Sequence, residues 1–181
     1  MNTNTLIREI GDILSRVNKN VIMPGKLGNP LNYYNMLTNY LTQTTIYLIP
    51  ASPKLLKKKK MEKVIMKDLA QRGRVAQILA VVIAPGKNKG DFESTKTYMV
   101  GGKTYKYSLD SAMIFSSDRK QWCALITGDG KGYASDGSSF SRLTPYEWKS
   151  KINSDEEFSF EGSTKRYNFK TCETYLLYYR S

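Results

Sequence analysis

Histidine is missing altogether from the 181 residues. That absence removes the imidazole a cysteine hydrolase cycles near neutral pH, so the usual general base of such chemistry is not available. Cysteine is scarce, with Cys123 and Cys172 the only two. So sparse a pair makes neither a disulfide framework nor a Cys-x-x-Cys zinc clasp, and it points to a reduced, intracellular setting. No apolar run approaches the ~18 residues of a membrane span, so none is expected. The opening Met-Asn-Thr-Asn-Thr lacks the basic-then-apolar pattern of a secretory signal. Carboxylates are short too: 16 Asp and Glu stand against 28 Lys and Arg, a net charge of +12. Such an excess calls for a polyanionic partner: RNA, DNA, an anionic membrane or an acidic protein face.

The positive charge is local. Between residues 51 and 75 the cations are Lys54, Lys57, Lys58, Lys59, Lys60, Lys63, Lys67, Arg72 and Arg74, against only Glu62 and Asp68. Lys87 and Lys89 follow in a basic loop at 85–91. Two readings stay open: a nucleic-acid-binding patch made of these residues, or a solvated face that keeps the chain dispersed. The lysines at 57–60 decorate the first turn of an expected helix, the wrong end for the macrodipole. That conflict favours an anion-binding role.

Periodicity places the elements. Leu6, Ile7, Ile10, Ile13, Leu14 and Val17 keep helical spacing, predicting a helix over 5–17. Asn29 and Pro30 suit the cap and first turn of a second helix over 30–42. Residues 44–49 read as a strand stopped by Pro50. Met61, Val64, Ile65 and Leu69 predict a third helix over 58–71, ended by Gly73. The apolar run 75–84 predicts a strand buried on both faces. Residues 95–100 and 103–107 flank Gly101-Gly102 as a hairpin. Strands follow at 107–115 and 121–127, then a glycine-rich turn at 128–132. Thr144-Pro-Tyr-Glu147 has capping-box spacing, opening a short helix over 145–152. A strand over 173–179 closes the order. The expectation is one domain, 1–181: an N-terminal helical arm at 1–22, a helical part at 23–74 with the basic stretch 54–74, and a C-terminal sheet at 75–181. The fold class expected is α+β, helices first and a mostly antiparallel sheet after.

Tyr107, Leu109, Ala112, Trp122, Ala124, Ser138, Phe140, Leu143, Tyr175, Leu177, Tyr179 and Arg180 fall in an order and spacing that resembles the C-terminal half of the ubiquitin-specific proteases. Leu27-Gly-Asn before a helix start is similar to the opening of that family's catalytic helix. The resemblance implies a papain-like layout. It also places Leu31 at the nucleophile position, Gln121 at the histidine position, and Ser135 or Asp136 at the orienting position. Leu31 cannot attack, Gln121 cannot cycle a proton, and the family's zinc-binding fingers have no counterpart. What the resemblance implies is therefore a catalytically inactive, ubiquitin-specific-protease-like domain, a protein-binding or scaffold subunit whose ligand is ubiquitin, another protein or a ribonucleoprotein.

Other chemistry is thinly signalled. Cys123 is expected on the same strand face as Gln121, without a base. Asp118, Asp129 and Asp136 sit in turn contexts where Asp serves its own backbone, and no metal or other cofactor is expected. Gly128-Asp-Gly-Lys-Gly132 lacks the spacing of a phosphate loop. Tyr33, Tyr34, Tyr105, Tyr107, Trp122, Tyr133 and Trp148 read either as base-stacking groups beside cations or as core and cross-strand pairs.

Overall fold

A computed structural model of the protein describes residues 46–50, 58–89, 91–116, 120–136, 143–160 and 164–181, with the backbone alone at 47–50 and 72; Glu9, Asp12, Arg16 and Tyr34 are also described, each helical. Two units divide the chain, Met1–Thr45 and Ile46–Ser181, and the sheet belongs to the second. Its strands are β1 (Ile46–Pro50), β2 (Ile78–Ile83), β3 (Thr95–Val100), β4 (Lys103–Ser116), β5 (Gln121–Gly128), β6 (Lys131–Ser135), β7 (Thr144–Pro145) and β8 (Glu173–Arg180). Helix α1 (Lys58–Arg72) lies between β1 and β2, and the single turn α2 (Trp148–Lys151) between β7 and β8.

The strands join one sheet in the order β1-β2-β8-β4-β5-β6-β7, with β3 paired to β4. β1 and β2 run parallel, and every other pair is antiparallel. The Ile-Leu-Ala-Val-Val-Ile run of β2 is apolar at every position, as a strand with neighbours on both edges and cover on both faces requires. β4 is the longest strand, 14 residues. Its register against β8 slips between Leu109 and Ser111, leaving Asp110 as the bulge. Beyond the end of β8, the first part of β4 and β3 continue as a two-stranded ribbon. Gly101 and Gly102 close its turn with φ of +59° and +76°, the left-handed pair a two-residue hairpin needs.

Alternation along the strands sorts their side chains onto two faces. On one face Leu79, Val81, Leu176, Tyr178, Ile114, Cys123 and Leu125 form the core, covered by Met61 and Ile65 of α1 and by Trp148, Phe158, Tyr167 and Phe169. Burying a side chain such as Ile65 stabilises the fold by about 1.5–3 kcal/mol. On the reverse face Ile78, Ala80 and Leu177 are buried, Met113, Phe115, Trp122 and Ile126 are half-buried, and Ala124 is exposed.

α1 runs beside β3. Its Glu62 carboxylate accepts the Met99 N–H at 3.0 Å, and Leu69 lies against Gly101. It ends where Gly73, at φ +69°, donates to the Leu69 carbonyl at 2.8 Å. At α2 the expected capping box does not form. Glu147 makes no side-chain cap; its carboxylate instead accepts the Gly132 N–H at 3.2 Å.

The fold class corrects the expectation. The described unit is a mostly antiparallel sheet with two helices, not a helical half followed by a sheet of papain-like, ubiquitin-specific-protease-like α+β type. The reason lies in Ile46–Pro50, which pairs with β2 as the edge strand β1 instead of belonging to a helical part. The sheet therefore opens before either helix, and α1 covers part of that sheet rather than belonging to a separate layer. The helices expected over 5–17 and 30–42 lie outside the described residues, apart from the four helical positions named above. Among the described residues no helix is long and apolar enough to cross a membrane.

Candidate functional site

Gln121 opens β5 and Asp136 directly follows β6. Pairing of Ala124 with Ser135 brings both to the same end of the sheet. The Gln121 side-chain amide donates to the Asp136 backbone carbonyl. Asp136 is 2% exposed, and the Tyr167 hydroxyl donates to its Oδ2 at 3.5 Å, a weak contact. Cys123 shares the face of Gln121, fully buried, its thiol 3.7 Å from the Ala124 carbonyl. Burial pushes the Cys123 thiol well above its ordinary range, and the nearby Asp136 charge adds to the rise. Burial likewise raises Tyr167, helped by Cys123 and Asp136. Every shift at this cluster favours the protonated form. A thiol held neutral, an amide without basicity and a buried carboxylate do not assemble into a nucleophile and its base.

Leu31 lies outside the described residues, as does Asp118. Asp129 occupies the turn between β5 and β6, whereas Asp136 lies beyond the far end of β6, so these two carboxylates do not converge. Among the described residues no group of three or more Cys, Asp or Glu side chains is placed to hold a metal ion.

The basic residues separate into two places. Lys58, Lys59, Lys60, Lys63 and Lys67 are all exposed on α1, and Arg74 is exposed just after it. Lys54 and Lys57 lie outside the described residues, and Arg72 is described by its helical backbone alone. Lys87 and Lys89 are exposed too, but they follow the other end of β2. There the Gly86 N–H donates to Lys170 O, and Asn88 donates to the Ile152 and Phe169 carbonyls. Six residues of strand, about 20 Å, separate that loop from the start of β2. Lys87 and Lys89 therefore sit at the far end of β2 from Arg74.

Near α1 the structure adds cations that no run in the sequence marked. Lys103 is exposed at the ribbon turn, and Lys106 is exposed on the ribbon face turned away from α1. Lys96 is half-buried with its ammonium 5.4 Å from the centre of the Tyr178 ring. Burial lowers its pKa, against the opposing pull of Glu93 and Asp91. The carboxylates of α1 are withdrawn from this surface. Glu62 is engaged by Met99, and Asp68 is 3% exposed. Met66 and Met99, 43% and 63% exposed, are the large apolar groups left in solvent here.

The aromatics divide as well. Tyr107 and Trp148 are fully buried. The Tyr107 hydroxyl donates to Ala76 O at 2.7 Å, and the Trp148 indole donates to Ile126 O at 3.0 Å, so both are core groups. Tyr105 is half-buried under the Arg180 guanidinium, 5.8 Å from its ring centre. Trp122 and Tyr133 are half-buried on the reverse face. Tyr33 lies outside the described residues, and Tyr34 belongs to the first unit.

No model of a known protein family matches the chain. No curated protein matches it in sequence.

Proposed function

We propose that this chain binds nucleic acid, RNA or DNA, through the surface made by α1 and the β3–β4 ribbon. One observation carries the reading. Lys58, Lys59, Lys60, Lys63, Lys67, Arg74 and Lys103 are exposed, while both carboxylates of α1 are engaged or buried. A surface of one sign with its counter-charges withdrawn attracts a polyanion, and phosphates release their condensed counterions on meeting it. Lys87 and Lys89 are not part of this interface. If five of the cations meet phosphates of a single strand, log K falls against log salt with a slope of about −3.5. Fluorescence anisotropy with labelled oligonucleotides across a salt series measures it. The triple variant Lys59→Glu, Lys63→Glu, Lys67→Glu is expected to weaken binding at least tenfold, by the loss of about three phosphate contacts. The pair Lys87→Glu, Lys89→Glu leaves binding in place. An unchanged affinity in the triple variant refutes the reading.

A second reading, a non-catalytic protein-binding scaffold, is favoured by the state of the Gln121–Asp136 cluster. Its amide is bonded to a backbone carbonyl and its thiol is buried, which supports a non-catalytic reading of that cluster. Ubiquitin is a partner only on the strength of the sequence resemblance. The sheet-dominated fold lends that partner no support.

A further inference from the structure

The reverse face of the sheet carries an aromatic row that the cationic surface does not explain. Phe115 of β4 and Trp122 of β5 are cross-strand partners, with ring centres 4.9 Å apart and planes 37° from parallel. Trp122 in turn lies 5.5 Å from the ring of Tyr175 on β8, at 50°. The Tyr175 hydroxyl is held by the Glu173 carboxylate. Phe115 and Trp122 are half-buried, and their neighbour Ala124, in the middle of β5, is exposed, so solvent reaches the centre of this face. Farther along the same face Tyr133 pairs with Ile126 and Lys131 with Gly128. Exposed Lys120 stands beside the row, immediately before β5, and exposed Lys131 lies farther along the same face, about 20 Å from Trp122. Along β4 the face continues through Met113, Ser111 and Ser108 to the exposed Lys106 of the ribbon, a further cation on the platform's own side of the sheet, opposite the side that α1 covers.

We infer that the Phe115–Trp122 row is a stacking platform for unpaired bases, and that the ligand of this protein is a single-stranded nucleic acid rather than a duplex. The inference rests on the nucleic-acid reading above and narrows it. Aromatic groups on an open sheet face meet the π-surfaces of bases, which a duplex hides inside its own stack. Lys120 beside the row, with Lys131 and Lys106 farther along the face, holds the backbone that carries those bases. Sequence does not enter, because every base has a π-face.

The test compares oligo(dT) and oligo(U) with a duplex of matched length, by anisotropy at fixed salt. Trp122→Ala is expected to weaken single-strand binding by about 5- to 150-fold, the range for loss of one base stack. Its residual duplex affinity stays within about twofold, while Trp122→Phe, which keeps a ring, retains most single-strand binding. Ala124→Glu supplies a variant that removes nothing from the core. An anion set in the middle of the platform is expected to reduce single-strand affinity at least tenfold, through repulsion of the adjoining phosphates. If Trp122→Ala and Ala124→Glu leave single-strand binding unchanged while the α1 triple variant weakens it, the platform is wrong and the nucleic-acid reading stands. An equal loss on duplex and single strand likewise overturns the platform. If the unaltered protein binds neither kind of oligonucleotide, both readings fall.

Discussion

Gly132→Ala tests the close approach that seats α2 on the sheet. Gly132 belongs to β6, and its backbone is bonded twice to the incoming connection. Its carbonyl accepts the Tyr146 N–H at 2.8 Å, and its N–H donates to the Glu147 carboxylate at 3.2 Å. A methyl group at this position overlaps the Tyr146 carbonyl oxygen and stands 3.1 Å from Trp148 Cδ1. The obstacle is backbone, not the end of a flexible side chain, so the 144–148 segment must move. Trp148 is fully buried and moves with it, stretching the bond from its indole to Ile126 O. Overpacking of this kind costs about 1–3 kcal/mol, and one weakened hydrogen bond adds about 0.5–1.5 kcal/mol. The sum, about 2–4 kcal/mol, is a large share of the ~5–15 kcal/mol that holds an ordinary domain together. In a chain of this size it lowers the melting temperature by about 4–16 °C. Urea denaturation followed by circular dichroism reads it as a lower midpoint with an unchanged slope. Gly128→Ala is the control: its added methyl meets only the Tyr133 ring, at an ordinary 3.6 Å, and stability there changes little. Equal stability of the two variants refutes the claim that the Gly132–Tyr146 contact demands a missing side chain.

Alkaline titration is expected to unfold the protein. Burial, then nearby Glu93, pushes Tyr98 up to about 12, and burial, then Glu156, does the same for Tyr146, from an ordinary value of 10.0. The unfolded chain thus loses these protons before the folded one, and stability falls as pH rises from 10 toward 12. Tyrosinate absorbance should rise together with loss of the dichroism signal; ionisation at the ordinary value with the fold intact contradicts the burial argument. For the Gln121–Asp136 cluster, incubation with a ubiquitin–fluorophore conjugate should release no fluorophore, and the Cys123 thiol should resist a thiol reagent until the chain is denatured. Release that disappears in Cys123→Ala overturns the non-catalytic reading.

Local structure was the part most open to reading in advance. The Met61, Val64, Ile65 and Leu69 spacing gave α1, the Gly101-Gly102 pair gave the ribbon turn, and the apolar run gave β2, because each depends on near neighbours alone. Strand order was not legible. Alternation assigns a side chain to a face but says nothing about which strand lies beside it, so the place of β8 between β2 and β4 came only with the structure. The fold class was misjudged for a related reason: two amphipathic stripes in the first 45 residues outweighed the short β-branched segment that became β1. At the candidate site, Gln121 and Asp136 meet because Ala124 pairs with Ser135, a register that alternation alone does not give. Lys103 and Lys106 were missed because alternation scatters strand cations, whereas a helix gathers them into a run such as 57–60. Tyr107 and Trp148 were ambiguous, since stacking groups and core groups share composition and spacing.

The position of β8 has a consequence for biosynthesis. Glu173–Arg180 is the last described strand to be synthesised, yet it occupies the middle of the sheet, pairing β2 on one edge and β4 on the other. Until it emerges, β2 and β4 each present an open edge lined with apolar side chains, and the two halves of the sheet have nothing to join them. Pairings this distant in sequence form slowly, and unpaired edges in the interval invite contact with other chains. From the completion of β4 at Ser116 until β8 is made, the nascent protein therefore holds two incomplete pieces, a state that chaperones holding extended apolar segments are suited to protect. Shortening the chain before Glu173 removes the piece that unites them.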